Sequence, residues 1–171
     1  MNDKEILSTD RMYLREFTLA DADAVFEFNS EPEVTRYTGD ADAVKTRQDA
    51  EKVISEIWLK EYQQYSYGRW AIVLKETDRV IGFCGFKYIE SLAMPDLGYR
   101  LLPDYWGVGL ATEIAQATLA YGKRVMALEN AFADVMPDNI ASNKILEKLG
   151  FTFSQQVVEH DQLYNRYLIT F

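Results

Sequence analysis

The sequence is short of almost everything that staples or anchors a chain. It has one cysteine, Cys84, and one histidine, His160, which rules out a disulfide framework and leaves almost no way to build a Cys/His zinc site. No metal is expected. Positive charge is scarce: 18 Lys and Arg against 27 Asp and Glu give a net charge of −9. Such a surface repels phosphate backbones and anionic headgroups, so neither a nucleic acid nor a membrane is expected as partner. A cationic substrate would be drawn to it. No apolar run approaches the ~20 residues that a membrane span needs. The opening stretch Met1-Asn2-Asp3-Lys4-Glu5 has neither a basic leader nor an apolar core, and is read as no signal peptide. The four prolines stand apart, and there is no internal repeat and no linker rich in Pro, Gly or Ser. With 171 residues, 48% of them apolar and 13% aromatic, the chain has enough to bury a core and is not disordered. The expectation is one globular domain over residues 1–171, in the cytoplasm.

The hydrophobic pattern switches repeatedly between periods of two and of 3.6. Residues 11–17 read as a strand. Thr18 followed by Asp21 is a helix start that satisfies orphan backbone donors, and the helix carries Leu19, Ala22, Val25, Phe26 and Phe28 up to Glu31-Pro32. A second helix is predicted from Thr46 to about Tyr65, with Ala50, Val53, Ile54, Ile57, Trp58 and Tyr65 as its buried stripe and Gly68 as its stop. Residues 69–74 and 80–89 form a predicted hairpin, followed by a strand from Met94 to about Leu102. A helix from Leu110 to about Arg124, a strand from Asn130 to Val135, and a helix opened by Pro137-Asp138 and closed by Gly150 come next. Residues 151–158 and 163–171 finish as strands. The order implies an α/β fold with a mixed sheet, antiparallel in its middle and parallel where a helix crosses over.

Chemistry concentrates at Pro103-Asp104-Tyr105-Trp106-Gly107-Val108-Gly109 and the helix that follows. A glycine loop at a helix start exposes backbone N–H groups, and the helix dipole adds positive potential there, so a phosphate fits without a basic side chain. A Walker loop is absent, since no Gly-Lys-Ser/Thr follows. A dinucleotide fingerprint is poorly matched, because Thr112 stands where its third glycine belongs and a meander precedes the loop. A plain strand-to-helix turn, with glycines for tight packing, stays open beside the phosphate reading.

The wider context resembles the GNAT family of acyl-CoA-dependent N-acetyltransferases. Trp106-Gly107-Val108-Gly109-Leu110-Ala111 is similar to the family's Gln/Arg-x-x-Gly-x-Gly/Ala loop at its fourth and sixth positions, and departs at the first, which is Trp. The longer run from Tyr105 to Glu113 looks like the RimJ/RimL branch of ribosomal-protein N-terminal acetyltransferases. So do Leu7-Ser8-Thr9-Asp10-Arg11-Met12-Tyr13-Leu14-Arg15 with Asp21, and the run from Asn139 to Phe151. The resemblance implies a single-domain GNAT-like fold with helices flanking the mixed sheet, and acetyl-CoA as cofactor. It places the pantetheine arm along Leu101 and Leu102. The diphosphate falls on Trp106, Gly107, Val108, Gly109, Leu110, Ala111 and the Thr112 hydroxyl, with Asn139 touching the arm. Asn139 also reads as a helix-start residue.

Transfer to a primary amine requires a base, because an amine of pKa ~10 must lose a proton before it attacks. It also requires a donor for the oxyanion, for which a strand N–H near Leu101 is available, and protonation of the departing thiolate. The resemblance puts a tyrosine at the position of Leu146 for that last step, and Leu146 cannot serve. Ser142, one turn earlier, is the substitute, against the reading of an ordinary helix serine. Asp96 is the candidate base, against that of a surface carboxylate. Glu113 fits the helix dipole. His160 reads as a solvated loop residue and Cys84 as a small core residue. Glu31, Glu33, Arg36, Tyr37, Tyr88 and Tyr99 are candidates to line an acceptor pocket. The acceptor is then a protein N-terminus or a small-molecule amine, and relatives often pair as homodimers. A non-catalytic acyl-CoA-binding protein of the same fold is the alternative.

Overall fold

The structure, a computed structural model, describes residues 4–171, so the opening Met1 to Asp3 lies outside the described residues. Its frame is an eight-stranded sheet in the order β1-β2-β3-β4-β5-β6-β8-β7. The strands are β1 (Glu5–Ser8), β2 (Met12–Arg15), β3 (Arg69–Leu74), β4 (Arg79–Ile89), β5 (Met94–Leu101), β6 (Asn130–Val135), β7 (Thr152–Glu159) and β8 (Gln162–Thr170). Neighbours from β1 to β5 are antiparallel, as is β6 with β8 and β8 with β7. β5 and β6 run parallel and are paired only at Asp96 and Phe132. The mixed α/β sheet expected from the sequence is therefore present, with one added strand. β1 is too short and too polar to announce itself, and it forms only by pairing with β2.

Alternation along β4 separates two helical layers. Phe83 points to one side, where its ring meets Phe28 at 5.9 Å and Trp58 at 5.8 Å. Those belong to α1 (Ala22–Ser30), which α2 (Pro32–Thr35) follows, and to a long helix made of α3 (Arg47–Lys52), a π-helical segment at residues 53–58 and α4 (Leu59–Tyr65). Cys84 and Phe86 point to the other side, against Thr118 and Gly122 of α5 (Leu110–Arg124). α6 (Ile140–Lys148) shares that side, its Ser142 bonded to Tyr99.

Several expectations need correction. Leu19 is exposed, because the first turn after Thr18 is a separate 3-10 turn and α1 begins at Ala22. The Asp21 carboxylate does accept from Thr18 N at 2.9 Å, closing the capping box. In the long helix Leu59 N bonds back five residues to Ile54 O. That wider turn makes Ala50, Ile54, Trp58 and Tyr62 the buried set and pushes Ile57 to the surface. The helix stops at Ser66, in left-handed conformation at φ 65°, and not at Gly68. α6 starts at Ile140 with Asn139 as its N-cap, two residues after the expected Pro137-Asp138 opening. Gly150, at φ 99°, closes it as expected.

Candidate active site

Because β5 and β6 touch at a single pair near their starts, they part beyond Asp96 and leave an opening in the middle of the sheet. Leu102 donates its N–H to Ile81 O of β4 at 2.9 Å. Strand alternation then directs the N–H and C=O of Leu101 and Tyr99 toward the opening. The Leu101 carbonyl there accepts from the Trp106 indole Nε1 at 2.8 Å, and the Leu101 N–H faces the same opening, where β6 offers no rung among the described residues. The side chains of Leu101 and Leu102 are buried in the core.

At the end of β5 the chain makes a 3-10 turn at residues 103–105 and enters the glycine loop. Gly107 and Gly109 take φ of 76° and 82°, in the left-handed region that side chains disfavour. A Cβ on Gly107 would meet nothing within 4 Å, so the loop is open above it. Among the described residues, the N–H groups of Gly107 to Thr112 have no hydrogen-bond partner; the first satisfied one is Glu113 N, on Gly109 O at 3.1 Å. Trp106 and Val108 are 45% and 57% exposed at the loop's rim. A groove continues along α5 over Gly109, Thr112, Gln116 and Ala120 to Lys148, and an adjoining cavity reaches Lys123 and Phe171. Uncapped amides at the start of a fifteen-residue helix, with a cation-bearing groove beyond, suit an extended ligand with a diphosphate. Among the described residues there is no cluster able to hold a metal, and no helix is long and apolar enough to cross a membrane.

Glu113 is engaged. It accepts from Thr9 Oγ1 at 2.7 Å, Arg11 N at 3.2 Å and Arg11 Nε at 2.8 Å, and pairs with Arg11 Nη2 at 2.6 Å. Burial pushes its carboxyl up, but these hydrogen bonds outweigh burial and hold it below the usual range.

Asp96 and Ser142 lie on opposite sides of β5. Asp96 shares the α1 side with Phe83 and Arg100, and its carboxylate is bonded to Arg69 Nη2 at 2.6 Å. Arg69 reaches it across Gly98, with Nη1 on Gly85 O at 2.7 Å and Asp96 O at 2.9 Å. Burial raises the Asp96 carboxyl, and Arg69 only partly offsets this. Ser142 lies on the α5 side, its Oγ 3.0 Å from Tyr99 Oη, and burial pushes the Tyr99 hydroxyl up to about 12. Asn139 caps α6 by accepting from Ser142 N at 3.3 Å. Leu146 is wholly buried in the core.

The expected acceptor group is split. Glu31, Glu33, Arg36 and Tyr37 gather at α2, where Arg36 stacks on Tyr37. Tyr88 and Tyr99 point to the opposite side of the sheet, Tyr88 against Tyr65 at 5.1 Å. His160 sits in the β7–β8 turn at φ 49°. Cys84 is buried against Thr118 Oγ1, its thiol pushed up to about 12 by burial. Residues not anticipated are Arg69 and Arg100. The Arg100 guanidinium lies over the Phe83 ring at 5.0 Å, pairs with Asp40 at 3.2 Å and bonds Asn29. The one trace of Arg69 in the sequence is Gly98 inside a strand, which marks close approach by another group.

Comparison with known proteins adds four findings. The chain matches the acetyltransferase (GNAT) domain family over residues 11–152. It is 36% identical over 149 residues to the uncharacterized N-acetyltransferase YoaA of Bacillus subtilis (strain 168), covering 85% of this chain and 82% of that one. Its fold is similar to that of RimL, a ribosomal alpha-N-protein acetyltransferase in complex with coenzyme A (TM-score 0.85, 16% identity, 98% of both chains). It is similar as well to that of the microcin self-immunity acetyltransferase MccE in complex with acetyl-CoA and AMP (TM-score 0.80, 17% identity, 95% and 94% covered).

Proposed function

The chain belongs to the acetyltransferase (GNAT) domain family, and from that premise we propose that it carries an acetyl group from acetyl-CoA to a primary amine by direct attack. The observation that carries this reading is the row of unpartnered N–H groups from Gly107 to Thr112, at the mouth of an opening lined by strand edge. These amides would hold the diphosphate, with the Thr112 hydroxyl beside them. The groove toward Lys123 and Lys148 would take the nucleotide end. The Leu101 N–H faces the opening, and Asn139 stands at its α6 side.

The coenzyme supplies the acetyl group as a thioester, with a thiolate as leaving group. A ligand lying in the plane of the sheet would have Asp96 on one side and Ser142 on the other. Asp96, its carboxyl raised by burial, takes the proton from the incoming ammonium on the α1 side. The Leu101 N–H, five residues and about 16 Å along β5 from Asp96, would bind the pantetheine arm, and the oxyanion donor would be a strand N–H nearer Asp96. Ser142 donates to the sulfur, and the Tyr99 hydroxyl, held protonated, orients it. The acidic balance of the chain, a net charge of −9, suits a cationic acceptor.

Fold similarity to RimL supports a protein N-terminus as acceptor, and similarity to MccE a small-molecule amine; both are primary amines. The lone reduced thiol suits the cytoplasm. The nearly fully exposed edge strand β7 supports a homodimer, to be read by sedimentation. The test of function is thiol release from acetyl-CoA with a panel of amines, including peptides with free N-termini and polyamines. Release with one class establishes the reaction. Buried Leu146, in place of a tyrosine, favours one second reading, an acyl-CoA-binding protein without turnover. Tight coenzyme binding with no thiol release from any amine would favour it.

A further inference from the structure

The Thr9-Asp10-Arg11 stretch takes no part in the chemistry above, yet Arg11 reaches the glycine loop at Val108 from 97 residues away in sequence. Arg11 spends its whole fork there. Nε and Nη2 bind the Glu113 carboxylate, and Nη1 donates to Val108 O at 2.9 Å. Its Nη2 would lie 3.6 Å from a Cβ placed on Gly109. We infer that Arg11 is a positioning residue for the loop: it aims one of the diphosphate-binding amides and cancels the charge of Glu113.

The aiming follows from peptide planarity. The Val108 carbonyl and the Gly109 N–H belong to one planar trans unit and point in opposite directions. Holding the carbonyl on Arg11 therefore turns the N–H away from β2, toward the open side of the loop. The charge argument concerns Glu113. A carboxylate in the first turn stabilises a helix against its dipole, but it stands where an anionic ligand is to bind and repels it. Arg11 and Glu113 together present no net charge, so the helix keeps its acidic first turn and the ligand meets only amides. The loop has no Gln or Arg at its first position, where Trp106 stands, so this cation comes from the turn before β2 instead of from the loop itself.

The inference rests on the coenzyme reading, and the experiment separates the two. Coenzyme A is titrated calorimetrically into the full chain and into Arg11→Gln, Glu113→Gln and the double variant, with melting curves for each. Charge cancellation predicts opposite signs. Arg11→Gln weakens binding by about fivefold or more, the scale of one charge at a helix terminus. Glu113→Gln binds as well as the parent or better, and the double variant binds more tightly than Arg11→Gln, keeping only the loss that comes from the freed Val108 carbonyl. A clamp that acts by packing alone weakens binding in both single variants and gives no rescue in the double, which overturns the inference. Equal affinities in all four proteins overturn it as well. If the parent binds no coenzyme A, the coenzyme reading falls and takes the inference with it. Melting temperatures within a few degrees of one another keep the comparison about affinity, since an exposed ion pair contributes little to stability.

Discussion

Gly98 is the position where a single added methyl would disturb the Arg69–Asp96 pair most directly. A Cβ at that position would lie 2.7 Å from Arg69 Cζ, 2.7 Å from Nη2 and 2.8 Å from Nη1. Ordinary contact needs about 3.4–4 Å, so the guanidinium has to lift by roughly 1 Å. Gly98 has no unusual backbone angle, so Gly98→Ala strains nothing else. The displaced Arg69 loses its 2.6 Å bond to Asp96 and its bonds to two carbonyls, in a site where the two side chains are 12% and 19% exposed. Overpacking of this kind costs about 1–3 kcal/mol, or about 2–12 °C in melting temperature for a chain of this size. The pH dependence is the sharper readout. Burial already raises the Asp96 carboxyl, and removing Arg69 takes away the main force that lowers it. A group raised in the folded state favours folding while it is protonated, and loses that advantage as pH rises. The stability deficit of Gly98→Ala should therefore be small in acid and widen toward neutral pH, followed by thermal melts across that range. With Asp96 as base, the acid limb of the rate profile moves to higher pH as well. A deficit that is constant with pH, or that grows toward acid, would refute the coupling of Gly98, Arg69 and Asp96.

Other outcomes follow from the same geometry. Ser142→Ala should lower kcat by about a hundredfold or more, the scale of a lost proton donor, while KM for acetyl-CoA stays within a few-fold. Tyr99→Phe should give a smaller loss of the same kind, both read by thiol release. Gly109→Ala, at φ 82°, should lose about 1–2 kcal/mol to left-handed strain and raise KM for acetyl-CoA more than it lowers kcat. Leu146→Ala should lose about 2–5 kcal/mol in urea unfolding, the cost of a cavity at a fully buried leucine.

The parts of the fold set by local periodicity were legible in the sequence. α5 and β6 fall on the expected residues, and β3 with β4 makes the expected hairpin, since each has a strong pattern bounded by turn residues. What escaped depended on tertiary contact or on unusual helix geometry. β1 owes its existence to its neighbour. Ile57 satisfies a 3.6-residue stripe, but the five-residue turn at Leu59 rotates it outward. The glycine loop could be found because its chemistry is in the backbone and is written in consecutive residues. The Asp96–Arg69 and Tyr99–Ser142 pairs could not, because each joins elements far apart in sequence, and a pattern says which side of a strand a residue faces without saying what waits there. Placing Tyr88 and Tyr99 beside Glu31 and Glu33 failed for that reason.

One feature of the sheet bears on how the protein handles its ligand. Five strands on one side of the opening and three on the other share a single backbone rung at Asp96 and Phe132. A molecule bonded to the free edges of both β5 and β6 would add rungs that the chain itself lacks, and the two plates would be welded by a visitor. Holding the ligand and stiffening the protein then draw on the same bonds. Saturation at a hundred times the dissociation constant adds about 2.7 kcal/mol to stability. On the coenzyme reading, letting the spent molecule go means reopening that seam.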